Sequence, residues 1–139
     1  MTETEVAVQH DEDEALISSI DSEHARIAAA QRRMFRLIAE ADRRKSWVDV
    51  GARDTAHWLS MRYGISYWKA QRWIAAAHAL ESLPHVSDAL ASGELHVDKA
   101  VELTRFAAPE TESRLLIWAG GVSCGADPAQ GRRRRASDA

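Results

Sequence analysis

The longest regular pattern of apolar and polar residues lies between about Asp13 and Lys45 and is helical. Ile20, Ile27, Met34 and Ala41 recur every seven residues, and this spacing places them along one side of a helix. Further apolar residues widen the same stripe: Leu16, Ile17, Leu37 and Ile38. We therefore predict one long N-terminal helix, which lays its stripe either on the rest of its own domain or on a second copy of itself.

Shorter helical segments follow, each bounded by residues that cap or break helices. Their predicted bounds are Asp54 or Thr55 to about Arg62, Tyr67 to about Ser82, a segment around Val86–Leu90 stopped by Gly93, a segment capped by Asp98, and a last helix started by Pro109. Sustained period-two alternation, which would indicate strands, is absent from the sequence. The predicted fold class is all-α: an orthogonal helical bundle of about six helices with a long N-terminal helix and a helix-turn-helix-like corner.

Length and composition fit one soluble globular domain, because the chain has 139 residues of which 45% are hydrophobic and 28% charged. The sequence has no apolar run near the ~18 residues of a membrane span, and no secretory signal. The single cysteine, Cys124, fits a reducing compartment, so we predict a cytoplasmic protein without a membrane partner. We divide it into a disordered acidic N-terminus (residues 1–12), a helical domain (13–119) and a flexible Gly- and Arg-rich tail (120–139).

Charge is distributed unevenly along the chain. Residues 1–25 carry eight acidic groups and no lysine or arginine, whereas residues 26–72 carry eleven basic groups and four acidic ones. A basic block within a chain of net charge −3 can form a local surface that faces phosphate. The alternative is that these arginines only solvate helix faces.

The segment Thr55–Ala77, TAHWLSMRYGISYWKAQRWIAAA, has the layout of a helix-turn-helix. A short helix is followed by a Gly-apolar-Ser turn and by a second helix that a serine can cap. We expect Trp58 and Trp73 in the core, and Trp68 on the surface as a stacking platform. The candidate DNA contacts are Lys69, Gln71 and Arg72, with Tyr67 and Arg62 beside them and Arg53 as an outlying phosphate contact. A purely structural helical corner is the alternative.

Catalytic and metal-binding patterns are not found in the sequence. The six histidines include no pair spaced as in His-Glu-x-x-His, and the lone cysteine cannot form a multi-Cys zinc site. A Gly-rich phosphate loop, a G-x-S-x-G turn and a carboxylate pair placed for acid–base chemistry are also missing. We therefore predict no catalytic residue, no metal ligand and no cofactor.

An ordered set of residues resembles the actinobacterial 13E12-repeat family, the domain of unknown function numbered 222. The matching positions are Gly51, Trp58, Leu59, Gly64, Ile65, Ser66, Ala70, Leu80, Leu83, Pro84, Gly93, Leu95, Lys99, Leu103, Thr104 and Pro109. Many members of this family are longer and end in an HNH nuclease module, in which histidines and an asparagine hold a metal. The resemblance therefore implies a DNA-associated N-terminal helical domain.

The chain departs from this family after Ala119. The helical continuation expected of the family is replaced by GGVSCGADPAQGRRRRASDA, which reads either as a frameshifted or truncated end or as a natural tail. An HNH motif is not present, so we predict a non-catalytic DNA-binding domain. The alternatives are a helical dimerisation or protein-interaction module, with a homodimer formed through the first helix, and an inactive relic of a truncated nuclease.

Overall fold

The computed structural model describes residues 2–121, and these residues form helices and turns without a strand. Its elements are α1 (Glu3–Arg44), a 3₁₀ turn (Val48–Val50), α2 (Thr55–Tyr63), α3 (Tyr67–Leu80), α4 (Pro84–Ser92), α5 (Val97–Leu103) and α6 (Glu112–Gly121). The predicted all-α fold of about six helices is therefore confirmed. The predicted tail lies outside the described residues from position 122 onward, and its first two glycines belong to α6.

Helix α1 begins about ten residues before the start that the apolar pattern predicts. The Thr2 hydroxyl accepts a hydrogen bond from the Glu5 amide, and the Glu5 carboxylate accepts one from the Thr2 amide. This reciprocal capping, together with acidic residues in the first turn, favours the helix start. Helix α1 thus includes residues 3–12, which the sequence analysis assigns to a disordered N-terminus, because a helix can be capped without any apolar side chain to pack.

Only the C-terminal part of α1 packs on the bundle. Its buried residues are Ala28, Phe35, Ile38 and Ala39, whereas every residue from Thr2 to Ile27 is exposed. We refer to Glu3–Ile27 as the projecting half of α1. The predicted stripe therefore meets the core only in its C-terminal part, at Met34 and Ile38, since Ile20 is 65% exposed and Ile27 is 57% exposed.

The core lies where α1, α3 and α4 meet. On α3 the buried side chains are small at Ala70, Ala76 and Ala77, which allows neighbouring helices to approach closely. Phe35 of α1 contacts the edge of Trp73 of α3, with ring centroids 5.6 Å apart. The larger core side chains lie on α2, at the end of α3, just before α4 and on α4, and they are Leu59, Leu80, Leu83, Val86 and Leu90.

Helix α4 takes its N-terminal cap from a distant residue. Leu83 at the N-cap position makes no side-chain capping bond. Instead the carboxylate of Glu112, which is buried, accepts hydrogen bonds from the amides of His85 (3.3 Å) and Val86 (3.1 Å). A carboxylate at a helix N-terminus is stabilised by these amides and by the helix dipole, so Glu112 fastens α6 to α4.

Two predicted helix starts shift by two or three residues. The side chain of His96, rather than that of Asp98, accepts the amide that caps α5. Helix α6 begins at Glu112 and not at Pro109, because Thr111 closes a turn with the backbone of Ala108. In both cases a side chain forms a hydrogen bond with the backbone a few residues away, and this bond decides where the helix begins.

Asp42 joins α1 to the two helices that follow it. Its carboxylate accepts hydrogen bonds from the Thr55 hydroxyl (2.6 Å) and pairs with Nε2 of His78 at 2.6 Å. Burial opposes ionisation of Asp42, but the hydrogen bonds from Thr55 and His78 outweigh it and hold the pKa below its ordinary value. The ionised form of Asp42 is therefore the one that the fold stabilises.

We expect this contribution to stability to be lost in acid. Because the folded-state pKa of Asp42 is lowered, the contribution is fully present above the ordinary aspartate pKa of about 3.9 and disappears as the pH falls through the lower folded-state value. Urea unfolding followed from pH 6 to pH 2.5 measures this dependence. The Asp42→Asn variant should show a smaller loss of stability across that range, and Asp49→Asn, an exposed control, should match the wild type. An equal pH dependence in the Asp42→Asn variant would contradict the assignment.

Candidate nucleic-acid interface

A tight turn of three residues, Gly64-Ile65-Ser66, joins α2 to α3. Gly64 has a φ of 69°, a left-handed conformation that favours glycine. Ile65 packs against the core, and its carbonyl accepts a hydrogen bond of 2.7 Å from the Ser60 hydroxyl. The Ser66 hydroxyl accepts the amide of Lys69 at 3.0 Å. The predicted Gly-apolar-Ser turn and the serine cap are therefore confirmed.

One face of α3 is open to solvent. Tyr67, Trp68, Gln71 and Ala75 are exposed on it, and Trp68 is exposed to 64%. With 3.6 residues per turn, Tyr67 lies at one edge of this face, Trp68 lies at the other and Gln71 lies between them. We call these four residues the α3 face. The prediction that Trp68 lies on the surface is confirmed.

The Tyr67 edge of the α3 face is fixed by α2. The Tyr67 hydroxyl donates a hydrogen bond of 2.5 Å to Asp54, the N-cap residue of α2. This bond is the main reason why the pKa of Tyr67 is raised and that of Asp54 is lowered. The Arg53 guanidinium lies 5.8 Å from the centroid of the Tyr67 ring, which is within the range of a cation–π contact. An exposed cation is thus held beside an oriented aromatic ring.

The Trp68 edge is fixed by α5. The Arg72 guanidinium lies 4.7 Å from the centroid of the Trp68 ring and donates a hydrogen bond of 2.6 Å to Glu102. Hydrogen bonding to Arg72 is the main cause of the lowered pKa of Glu102. Arg105 also contacts Glu102, at 3.5 Å, and is more exposed than Arg72.

Arg72 therefore differs from its prediction as a free DNA contact. Its side chain is only 23% exposed and forms an ion pair with Glu102. The sequence pattern missed this because Glu102 lies thirty residues further along the chain. The geometry makes Arg72 a support for Trp68, whereas Gln71 stays exposed as predicted.

Lys69 lies off the α3 face but beside Trp68, with which it lines a shallow cavity, and Arg62 lies apart from the face. Lys69 is exposed, but its ammonium is 5.4 Å from the centroid of the Trp73 ring, on the side of α3 that turns toward the core. Arg62 is exposed near the end of α2, over the rings of Trp58 and Tyr63 at 5.9 and 6.0 Å. The structure thus brings Arg53, Tyr67 and Gln71 together and leaves these two cations at the margin.

A second shallow cavity, of about 300 Å³, lies between α3 and the end of α5. It is lined by Trp68, Gln71, Arg72, Ala75, Thr104 and Arg105. Arg105 is the site residue that the sequence reasoning missed, because it follows a different helix. In the sequence, Arg105 is marked only by its position next to Phe106, which the structure shows to be exposed.

The described part of the chain also bears on two other kinds of site, metal sites and membrane-spanning helices. Between residues 2 and 121, no cluster of three or more His, Cys, Asp or Glu side chains is arranged to hold a metal ion. Over the same residues, no helix combines the length and the apolar character needed to cross a membrane.

Comparison with known proteins assigns the chain to a family. Residues 14–116 match the family model of a domain of unknown function, DUF222. The match covers well over half of the chain, so the protein belongs to the DUF222 family, and the family resemblance seen in the sequence is confirmed. No curated protein and no solved structure matches the chain. The association with HNH nucleases stays a prediction.

Proposed function

We propose that this domain is a non-catalytic, cytoplasmic DNA-binding module that contacts duplex DNA through the α3 face. The observation that carries the proposal is the arrangement of this face. Tyr67, Trp68 and Gln71 stand exposed on a helix that follows a three-residue turn, with Arg53 at one edge and Arg105 at the other. A recognition helix in a helix-turn-helix presents side chains of its first turns to the major groove in this way.

The chemistry of each side chain fits a role in such a complex. The Gln71 amide can pair with adenine in the major groove. Small Ala75 leaves room for the groove wall, and the two aromatic rings can pack on sugars or bases. Arg53 and Arg105, one at each edge of the α3 face, would contact the phosphates that flank the groove. We assign base reading to Gln71 and phosphate contact to Arg53 and Arg105.

Fluorescence anisotropy with labelled duplexes of random sequence tests the phosphate contacts. Each arginine that contacts a phosphate adds about 0.9 to the slope of log affinity against log salt. The Arg53→Ala and Arg105→Ala variants should therefore each lower that slope by nearly one unit, and the double variant by nearly two. Arg26→Ala, which removes an exposed arginine of the projecting half of α1, is the matched control and should leave the slope unchanged.

Two results would overturn the proposal. One is the absence of binding to duplex DNA at 50 mM salt. The other is a double variant of Arg53 and Arg105 that binds as tightly as the wild type. For base reading, sites selected from a random pool should lose their preference in the Gln71→Ala variant, with a cost of about tenfold at the position it reads.

A further inference from the structure

The projecting half of α1 carries apolar side chains that the bundle does not cover. Leu16, Ile17, Ile20 and Ile27 are all more than half exposed. At about 1.5 Å per residue this half is about 37 Å long. Its exposed ion pairs, His10 with Glu14 and Arg26 with Glu23, lie within the helix itself, and His24 contacts the carbonyl of Gly93. Apolar stripes of this length on a surface mark an interaction site more often than a free surface.

These residues belong to a heptad pattern that continues onto the packed half of α1. Steps of four and three alternate through eight positions, as in a coiled coil. We call these positions the α1 seam: Leu16, Ile20, Glu23, Ile27, Ala30, Met34, Leu37 and Ala41. The seam lies beside the core stripe of Phe35 and Ile38. Met34 of the seam packs partly against the core, whereas Leu37 is 68% exposed next to buried Ile38.

The charge of α1 is opposite in its two halves. Residues 3–23 carry eight acidic groups and no basic one, whereas residues 26–45 carry seven basic and two acidic groups. Two such helices in parallel would place acid beside acid and arginine beside arginine. In the antiparallel orientation the acidic half of each copy lies along the basic half of the other, so the helix complements a reversed copy of itself.

We propose that two copies of this chain form a dimer by antiparallel pairing of their α1 seams. The heptad register that satisfies both apolar and charged positions pairs Ile20 with Leu37, Leu16 with Ala41 and Ile27 with Ala30 of the second copy. The same register puts Asp13 beside Arg44 at each end of the seam. Glu23 then lies next to Met34 and Arg33 of the second copy, and a single polar position of this kind fixes the register.

The charged residues that this register brings together are available for pairing between the two copies. Among residues 2–121, Asp13 and Arg33 take part in no salt bridge, and the pair of Arg44 with Glu40 is exposed. The small residues Ala29 and Ala30 lie close to the midpoint, where the two-fold axis would pass, whereas Ala28 faces the bundle of its own chain. The interface is self-complementary, as a two-fold dimer requires.

Sedimentation velocity of the full chain without nucleic acid tests the dimer, so its result does not depend on DNA binding. We expect a dimer whose dissociation constant rises at least about 100-fold in the Ile20→Glu and Ile27→Glu variants, because two buried isoleucines are lost per dimer. Both side chains are exposed in the single chain, so the bundle should still fold, as thermal unfolding can verify. Ala25→Glu adds the same charge on the opposite, exposed side of α1 and should leave the dimer intact.

Disulfide trapping tests the orientation. In a Cys124→Ser background, an equimolar mixture of the Ile20→Cys and Leu37→Cys variants should give mainly the mixed disulfide under mild oxidation. A parallel dimer would give the Ile20→Cys variant linked to itself. A monomer at 100 µM or higher, a dimer insensitive to Ile20→Glu, or preferential self-linking would each overturn the proposal.

Discussion

Replacing Glu112 with alanine is expected to lower the free energy of unfolding by about 3 kcal/mol. Glu112 is only 2% exposed, and its two carboxylate oxygens accept the amides of His85 and Val86. Alanine would leave two amides at the start of α4 without an acceptor and would open a cavity between α4 and α6. The loss is large because Leu83 supplies no substitute cap.

Urea unfolding followed by circular dichroism at pH 7 measures this effect. The Glu112→Gln variant retains one acceptor oxygen in nearly the same volume, so it should lose about half as much stability. Glu110→Ala removes an exposed acid two residues earlier and should stay within about 0.5 kcal/mol of the wild type. A similar, small effect of Glu112→Ala and Glu110→Ala would mean that the buried carboxylate does not hold α4.

Replacing Gly93 with alanine is expected to cost about 2 kcal/mol, for two separable reasons. Gly93 has a φ of 85° at the C-terminal cap of α4, a conformation that strains any residue with a Cβ. A Cβ there would also lie 3.0 Å from the imidazole of His24, at the point where α1 leaves the bundle. Strain and contact each account for about 1 kcal/mol of the expected loss.

A double-mutant cycle with His24→Ala separates the two parts. In that background Gly93→Ala should cost only about 1 kcal/mol, since the strain remains and the close contact is gone. Gly51→Ala is the internal control, because Gly51 also has a positive φ but a Cβ there would meet nothing within 4 Å. If Gly93→Ala lowered the free energy of unfolding equally in both backgrounds, the His24 side chain of α1 would make no contribution to the loss.

Features that depend on neighbours in sequence were predictable. Asp54, Ser66 and Gly93 act within a few residues of themselves, and the structure places them at helix ends as predicted. The start of α1 was missed although the Thr2–Glu5 capping pattern is present in the sequence. That prediction relied on apolar periodicity, and a helix stabilised mainly by its cap carries no such signal.

Features that depend on distant contacts were not predictable. Two seven-residue repeats run along α1, one through Ile27 and Met34 and another through Ala28 and Phe35. Periodicity alone cannot tell which of them meets α3 and α4. The pairing of Arg72 with Glu102 has the same origin, because it requires knowing that the end of α5 passes beside α3. Exposed Gln71 and Trp68 could be placed, since their position follows from the face of α3 alone.

The cap that Glu112 supplies to α4 also sets an order for folding during synthesis. Chains emerge from the ribosome N-terminus first, so the amides of His85 and Val86 leave the exit tunnel well before their acceptor does. Until Glu112 emerges, these two amides in the first turn of α4 lack their carboxylate acceptor. The α4 cap is thus completed only after Glu112 has emerged, and a chain that stops before Glu112 cannot complete it.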